Sequence, residues 1–429
     1  MNMGTFRLPY GKSHIVCEVP DEQIVDVLNS NIQHYVPEGT PDELVANAMA
    51  NPIGSSTLEE MAKGKKKITI IASDHTRPVP SKVIIPPMLA AIRKGNPDAE
   101  ITILIATGCH RETKLDELID KFGSEIVEKE HIVIHDCDTE DVVDLGKLPS
   151  GGALVVNSVA VNADLLVAEG FIEPHFFAGF SGGRKSVLPG VAGRKVVLAN
   201  HNGAFIDDVH ARTGNLEGNP IHRDMIYAAK KAGLKYIVNV VLNERHDAIY
   251  AVAGDVEQAH LEGCKFLASQ CQVQPAEEAD IVITTNGGFP LDQNVYQAVK
   301  GMTAAENAVK KNGVIIMLSK CNDGHGGEHF YKTFEEEKNL EKMMQTFIST
   351  PPDETVIDQW QSQIFARVLM KARVIFVADV DETMIENFQM IPAKNVEEAL
   401  AKAKEILKTE KPKITIIPDG VGVIVKPVG

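Results

Sequence analysis

The sequence predicts an α/β protein of two domains, each built on a mainly parallel sheet, with the active site in the cleft between them. Three observations carry this expectation. The chain has 429 residues, more than one hydrophobic core usually organises. Short apolar runs alternate with longer stretches of helical period, as in parallel sheets with crossover helices. That alternation restarts after a polar connector near residue 272.

The first series reads KKKITIIAS, then PSKVIIPPMLAAIRKG, then AEITILIAT, then TKLDELIDKFG: strand, helix, strand, helix. GALVVNSVAV and DLLVAEGF are further strands, and KYIVNVVLN with DAIYAVAGD is spaced as a hairpin. The helical VEQAHLEGCKFLASQ closes a first domain at residues 1–271, and CQVQPAEEAD is the connector. A second domain, 272–409, begins with ADIVITTNGG and continues through VIIMLSKC and ARVIFVADV. The closing KPKITIIPDGVGVIV, in segment 410–429, is a strand that either completes the second sheet or returns to pack on the first domain.

The net charge of -16 repels polyanions, which argues against nucleic acid or an anionic membrane as the main partner. A small anionic substrate therefore needs its own local cluster of cations. The start, MNMGTFRLPYGKSH, lacks the layout of a secretory signal, and no run of about 18 apolar residues suggests a membrane span. A cytoplasmic location is expected. The six cysteines show no CxxC pair, so reduced thiols are expected rather than disulfides or a thiolate zinc site.

Ligands of open α/β sheets gather at the carboxyl ends of strands, which directs attention to polar residues that follow apolar runs. In SDHTRPVP, Asp74 either caps the next helix or joins His75, Thr76 and Arg77 in a polar rim where Arg77 meets a carboxylate or phosphate. In ATGCHRET, Gly108 permits a tight turn that projects His110, a residue suited to proton transfer, unless it simply caps a helix. His175 lies between Glu173, Pro174, Phe176 and Phe177, neighbours that imply a half-dry pocket for a neutral imidazole. GFSGGRKSVLPG approaches a P-loop but has Arg184 where the last glycine must stand, which argues against nucleotide hydrolysis. Its glycines could still cradle one phosphate, with Lys185 as an amine nucleophile or attachment point. His201 could be a lone metal ligand only if a cofactor supplied the other donors.

Two histidine clusters compete for a metal. His131 and His135 sit four apart on a strand, roughly 13 Å, too far to share one ion. Asp323, His325, Glu328 and His329 lie in a glycine-interrupted loop and are read as solvated polar residues, with a metal site as the alternative.

Taken together, DHTRPVP (74–80), ATGCHR (106–111), GFIEPHFFAGFSGGRKSVLPG (170–190) with His201 downstream, and PLDQNVYQAVKGM (290–302) resemble the nickel-dependent lactate racemase family over nearly the whole chain. The resemblance implies an isomerase using Ni(II)-pyridinium-3,5-bisthiocarboxylate mononucleotide, the nickel-pincer nucleotide. Lys185 would attach it through a thioamide, and His201 would complete the planar coordination of the metal, whose soft sulfur donors suit nickel. His110 and His175 would be the paired acid and base. Asp74, His75, Thr76 and Arg77 would hold the cofactor, Arg77 also orienting substrate, with Gln297 and Lys300 addressing its carboxylate. Trp360 would shield the site from water. Cofactor-biosynthesis proteins would load the enzyme.

The chemistry explains such an arrangement. The α-hydrogen of a hydroxy-acid anion is too weakly acidic for histidine to remove as a proton, whereas hydride transfer with proton removal from the hydroxyl leaves a flat keto acid that can rotate. After rotation the oxygen lies on the opposite side, so two bases are required. Domain closure would exclude water. Three rival readings remain: another 2-hydroxy acid as substrate, a metal- or cofactor-independent isomerase or dehydratase using the same histidines, and a protein that binds the cofactor without turnover. An NAD-dependent dehydrogenase is disfavoured because no G-x-G-x-x-G follows a strand.

Overall fold

The run Lys67–Ser73, whose ITIIA core is buried on both faces, lies in the middle of a six-stranded sheet, and that position sets the rest of the first domain. The computed structural model describes residues 2–428. The strand order in this sheet is Ala248–Gly254, Leu234–Leu242, Leu165–Phe171, Lys67–Ser73, Glu100–Ala106, His131–Ile134. All neighbours are parallel except the hairpin of Leu234–Leu242 with Ala248–Gly254, as the spacing of the two runs implies. The chain steps outward from Lys67–Ser73 to His131–Ile134 and then returns to the other flank at Leu165–Phe171. The connections therefore diverge between Lys67–Ser73 and Leu165–Phe171, and a crevice opens at their carboxyl ends.

A second six-stranded sheet, entirely parallel, runs Ile391–Ala393, Arg373–Val377, Val309–Leu318, Ala279–Thr285, Ile414–Ile417, Ile24–Val27. It differs from the sequence expectation in one place and decides an open alternative in another. Strand Ile24–Val27 was expected within a first domain of residues 1–271, but it pairs with Ile414–Ile417 in the second sheet. The preceding hairpin, Met3–Tyr10 with Ser13–Pro20, puts Leu8, Cys17 and Val19 in the same core as Ile281, Ile283 and Val314. Of the two alternatives for segment 410–429, its strand completes the second sheet, while Ile424 packs against Gly214 of the first domain. Ile414–Ile417 is buried at every position, so it needs a hydrogen-bonded neighbour on each side, and Ala279–Thr285 and Ile24–Val27 are those neighbours.

The two domains meet where helices Leu340–Ser349 and Gln359–Lys371 of the second pack on the short helix Gly203–Asp207 of the first. Among the described residues, no helix is long and apolar enough to cross a membrane. The six cysteines are free.

Removing residues 2–28 should loosen the second sheet and spare the first. Hydrogen exchange should show faster amide exchange across Ile414–Ile417 and unchanged protection across Lys67–Ser73; the reverse pattern would contradict the shared second sheet.

Candidate active site

Three loops leave adjacent strands of the first sheet at its carboxyl edge and carry the chemistry. After Lys67–Ser73, Asp74 is buried and accepts a hydrogen bond on Oδ1 from Thr76 Oγ1 at 2.7 Å. Its Oδ2 lies 2.7 Å from His110 Nδ1, on the loop after Glu100–Ala106. Burial alone would raise the Asp74 carboxyl, but the hydrogen bonds from His110 and Thr76 outweigh it and hold the group below the usual carboxylate range. The carboxylate thus orients His110 with Nδ1 as donor and Nε2 free to exchange a proton. His75 turns to Thr113, 3.0 Å from its Oγ1. Thr76 and Arg77 are exposed. The loop is pinned from behind: Glu169 Oε1 accepts from Ser81 Oγ at 2.7 Å, and the Lys121 ammonium donates to the Arg77 carbonyl at 3.1 Å.

The third loop follows Leu165–Phe171. Pro174–His175 pairs antiparallel with Gly179–Phe180, so His175 stands on a rigid two-residue ladder. Phe176 stacks on its ring at 5.2 Å, and Phe177 meets it edge-on at 4.5 Å. The Ala178 nitrogen lies 3.3 Å from His175 Nδ1, and Nε2 lies 3.2 Å from Lys185 Nζ. Desolvation, followed by Lys185 and Lys300, lowers His175 well below its ordinary value. Lys185 is also lowered well below its ordinary value, first by desolvation and then by Arg184 and Arg77. Burial and the neighbouring cations thus favour the uncharged form of both the amine and the imidazole.

His201 follows helix Arg194–Asn200 and is buried. Its Nδ1–H donates to the Val197 carbonyl at 2.8 Å, so Nε2 keeps a free lone pair, the usual arrangement of a histidine that binds metal through Nε2. Burial and Lys185 push its pKa down to about 3. Phe177 lies edge-on to it at 5.1 Å, and Trp360 of the second domain packs on its other side at 5.0 Å. The second domain also sends Lys300, whose pKa is lowered by burial and by Arg77 and raised by Glu173, so its ammonium lies within the field of the first domain's loops. Gln297, one turn earlier on helix Val295–Glu306, has a buried Oε1 with no hydrogen-bond partner.

Several sequence readings change. The glycine-rich turn offers one donor fewer to a phosphate than its sequence suggests, because the Gly183 N–H is already donated to Asn239 Oδ1 at 2.7 Å. Gly183 itself is required there: its φ is +52°, and a Cβ would lie 2.7 Å from the His260 ring. Arg184 is fully buried, its guanidinium spread over the carbonyls of Ala178 and Phe180 and over His222 Nδ1. Of Asp323, His325, Glu328 and His329, His325 approaches Glu328 at 3.5 Å and stacks on Tyr331, but among the described residues the four form no group of three metal-ligating atoms. His131 is exposed, whereas His135 is buried against the Ala192 carbonyl at 3.1 Å. Sequence reasoning missed Glu169 and Lys121 as supports, since a lone charged residue inside a strand or helix has no local motif, whereas Arg184 was expected beside Lys185 as a cation that lowers its pKa, and it does so.

The fold and site define a two-domain α/β protein whose cleft holds unprotonated nitrogen bases among cations, a setting for acid–base and metal-assisted chemistry on a small anion. Residues 10–214 match the lactate racemase N-terminal domain, and residues 274–425 match the lactate racemase C-terminal domain. The lactate racemase of Thermoanaerobacterium thermosaccharolyticum is 52% identical over 99% of this chain and 100% of its own length. That of Lactiplantibacillus plantarum is 51% identical over the same shares. The lactate racemase apoprotein structure from T. thermosaccharolyticum superposes with a TM-score of 0.95, at 52% identity, over 99% of this chain and 100% of that one. A Thermotoga maritima protein, 18% identical, shares the fold with a TM-score of 0.63, over 91% of this chain and 100% of its own. The chain belongs to the lactate racemase family.

A lysine with a depressed pKa carries a free amine at lower pH than its surface counterparts, and its reactivity falls only when the pH drops through that lowered value. At pH 7 a small amine-directed acylating reagent should modify Lys185 ahead of exposed lysines such as Lys94 and Lys129. Peptide mass mapping decides it, and modification confined to the exposed lysines would contradict the neutral amine.

Proposed function

We propose that this chain interconverts the D and L enantiomers of lactate in the cytoplasm, using a nickel-pincer nucleotide held covalently by Lys185. The observation that carries the proposal is the half-buried Lys185 amine, 3.2 Å from His175 Nε2 and near His201, whose Nε2 is open. The residues fit the group. A neutral amine suits thioamide formation, a free imidazole lone pair suits a metal that brings sulfur donors with it, and the unpartnered Gln297 Oε1 awaits a polar ligand. When bound, the nickel-pincer nucleotide supplies an acceptor for the α-hydrogen as hydride.

The chain's own residues do the rest. Arg77 and Lys300, reaching in from separate domains, hold the substrate carboxylate, and Gln297 adds a polar contact. Asp74, His75, Thr76 and Arg77 form the rim on the cofactor side. His110, oriented by Asp74, takes the hydroxyl proton of one enantiomer; His175, kept neutral by its dry and cationic surroundings, takes that of the other. After rotation the oxygen takes its proton from the opposite histidine, which starts that turnover protonated while the first starts neutral, so the pair exchanges protonation states in each direction. Trp360 and Phe177 keep water from the reacting carbon. Cofactor-biosynthesis proteins load the chain, and the substrate is a small 2-hydroxy acid.

Protein loaded by the cofactor pathway should show a mass increment on Lys185, bound nickel, and interconversion of lactate enantiomers. Loading without lactate turnover would move the substrate to another 2-hydroxy acid or leave a binding protein, and full activity in Lys185→Ala would overturn the covalent attachment. His110→Ala and His175→Ala should each abolish racemisation while the mass increment stays. Asp74→Asn should keep the increment and lower kcat by about 10²–10⁴, because the imidazole loses its orienting carboxylate; an unchanged kcat would remove Asp74 from the mechanism.

A further inference from the structure

His201 is held from two sides. Within its own domain the Val197 carbonyl fixes the ring's tautomer. From the second domain, helix Gln359–Lys371 lays two side chains, one turn apart, on the segment that carries it: the Trp360 ring against the His201 ring at 5.0 Å, and Gln363 Nε2 donating to the Gly203 carbonyl at 2.7 Å. Gln363 is 1% exposed and its Oε1 has no partner, so this buried amide contributes its donor end alone. Gly203 admits the approach because it lacks a side chain: a Cβ there would lie 1.9 Å from the Phe347 carbonyl oxygen, which also accepts from Gln359 Nε2 at 3.4 Å. An interdomain seam that served cohesion alone would be served better by apolar side chains than by a half-satisfied buried amide.

We propose that Gln363 is a positioning residue for His201, the second domain clamping segment 201–203 through it so that the His201 ring presents Nε2 to the metal. The inference rests on the reading of His201 as the nickel ligand. It predicts that the metal and the covalent anchor respond separately to the clamp, since Lys185 lies on a different loop and does not touch it. A partner that orients a ligand from behind typically shifts metal affinity by at least tenfold when removed.

The test uses the loaded holoenzyme and three variants. Gln363→Met keeps the length and apolar bulk of the side chain and deletes the donor; Gln363→Asn keeps the amide and shortens its reach; His201→Ala is the reference. Gln363→Met should retain the mass increment on Lys185 and release nickel to a chromogenic chelator about tenfold faster than the parent, with Gln363→Asn shifted less in the same direction. Emission from Trp360, the single tryptophan of the chain, should move to longer wavelength in the unloaded Gln363→Met protein as the indole leaves the His201 ring. Fast release from His201→Ala with parental release from both Gln363 variants would overturn the clamp alone. Parental release from His201→Ala would overturn the ligand reading and the clamp with it. Equal loss of nickel and of the Lys185 increment in the Gln363 variants would mark a general structural defect and also overturn the inference. Should Gln363→Met not fold, Gln363→Asn carries the same comparison.

Discussion

The site depends on dehydrated nitrogen bases set among cations. Lys185, His175 and His201 are packed with Phe176, Phe177 and Trp360, and no carboxylate is bonded to any of them. Desolvation is the first cause of lowered pKa in all three, and neighbouring cations add to it. The same grouping meets two needs: it keeps amine and imidazole lone pairs free, and it presents positive potential to a small anion in a chain of net charge -16. A carboxylate bonded to Lys185 would restore its proton and end its use as a nucleophile.

His110 is built on the opposite principle. Its partner Asp74 is a buried carboxylate held ionised by two hydrogen bonds, and the imidazole is oriented by charge. Two histidines proposed for the same task thus sit in different surroundings. One is open to the cleft and paired with an acid, and the other is enclosed by rings and faces an amine. Both depend on where the first sheet diverges, because Asp74, which holds His110, follows Lys67–Ser73, and His175 follows the adjacent strand Leu165–Phe171 on the other side of that point.

The second domain completes the site with single side chains from two helices. Lys300 and Gln297 come from Val295–Glu306, and Trp360 and Gln363 come from Gln359–Lys371. Their placement relies on a sheet that borrows its outer strand, Ile24–Val27, from the beginning of the chain. The chain therefore passes from the second domain into the first and back again, and the N-terminal hairpin braces the sheet of the domain that carries Gln297 and Lys300.

The sequence alone determined the α/β class, the hairpin at 234–254, and the loops that carry His110, His175, Lys185 and His201, because apolar strand runs and glycine-rich turns are local patterns. It also indicated that a metal at His201 needs outside donors. Tertiary structure decided the rest. Ile24–Val27 is a four-residue strand with partial burial, too short to show its partner, and only pairing with Ile414–Ile417 assigns it to a sheet. The Asp74–His110 pair spans 36 residues, and the Gln363–Gly203 bond spans 160. Arg184, read as a failed phosphate-loop position, proved to be a buried cation spread over carbonyls. Periodicity and spacing record what a residue does along its own strand or helix, whereas desolvation, ion fields and cross-domain bonds arise only when distant segments share one volume.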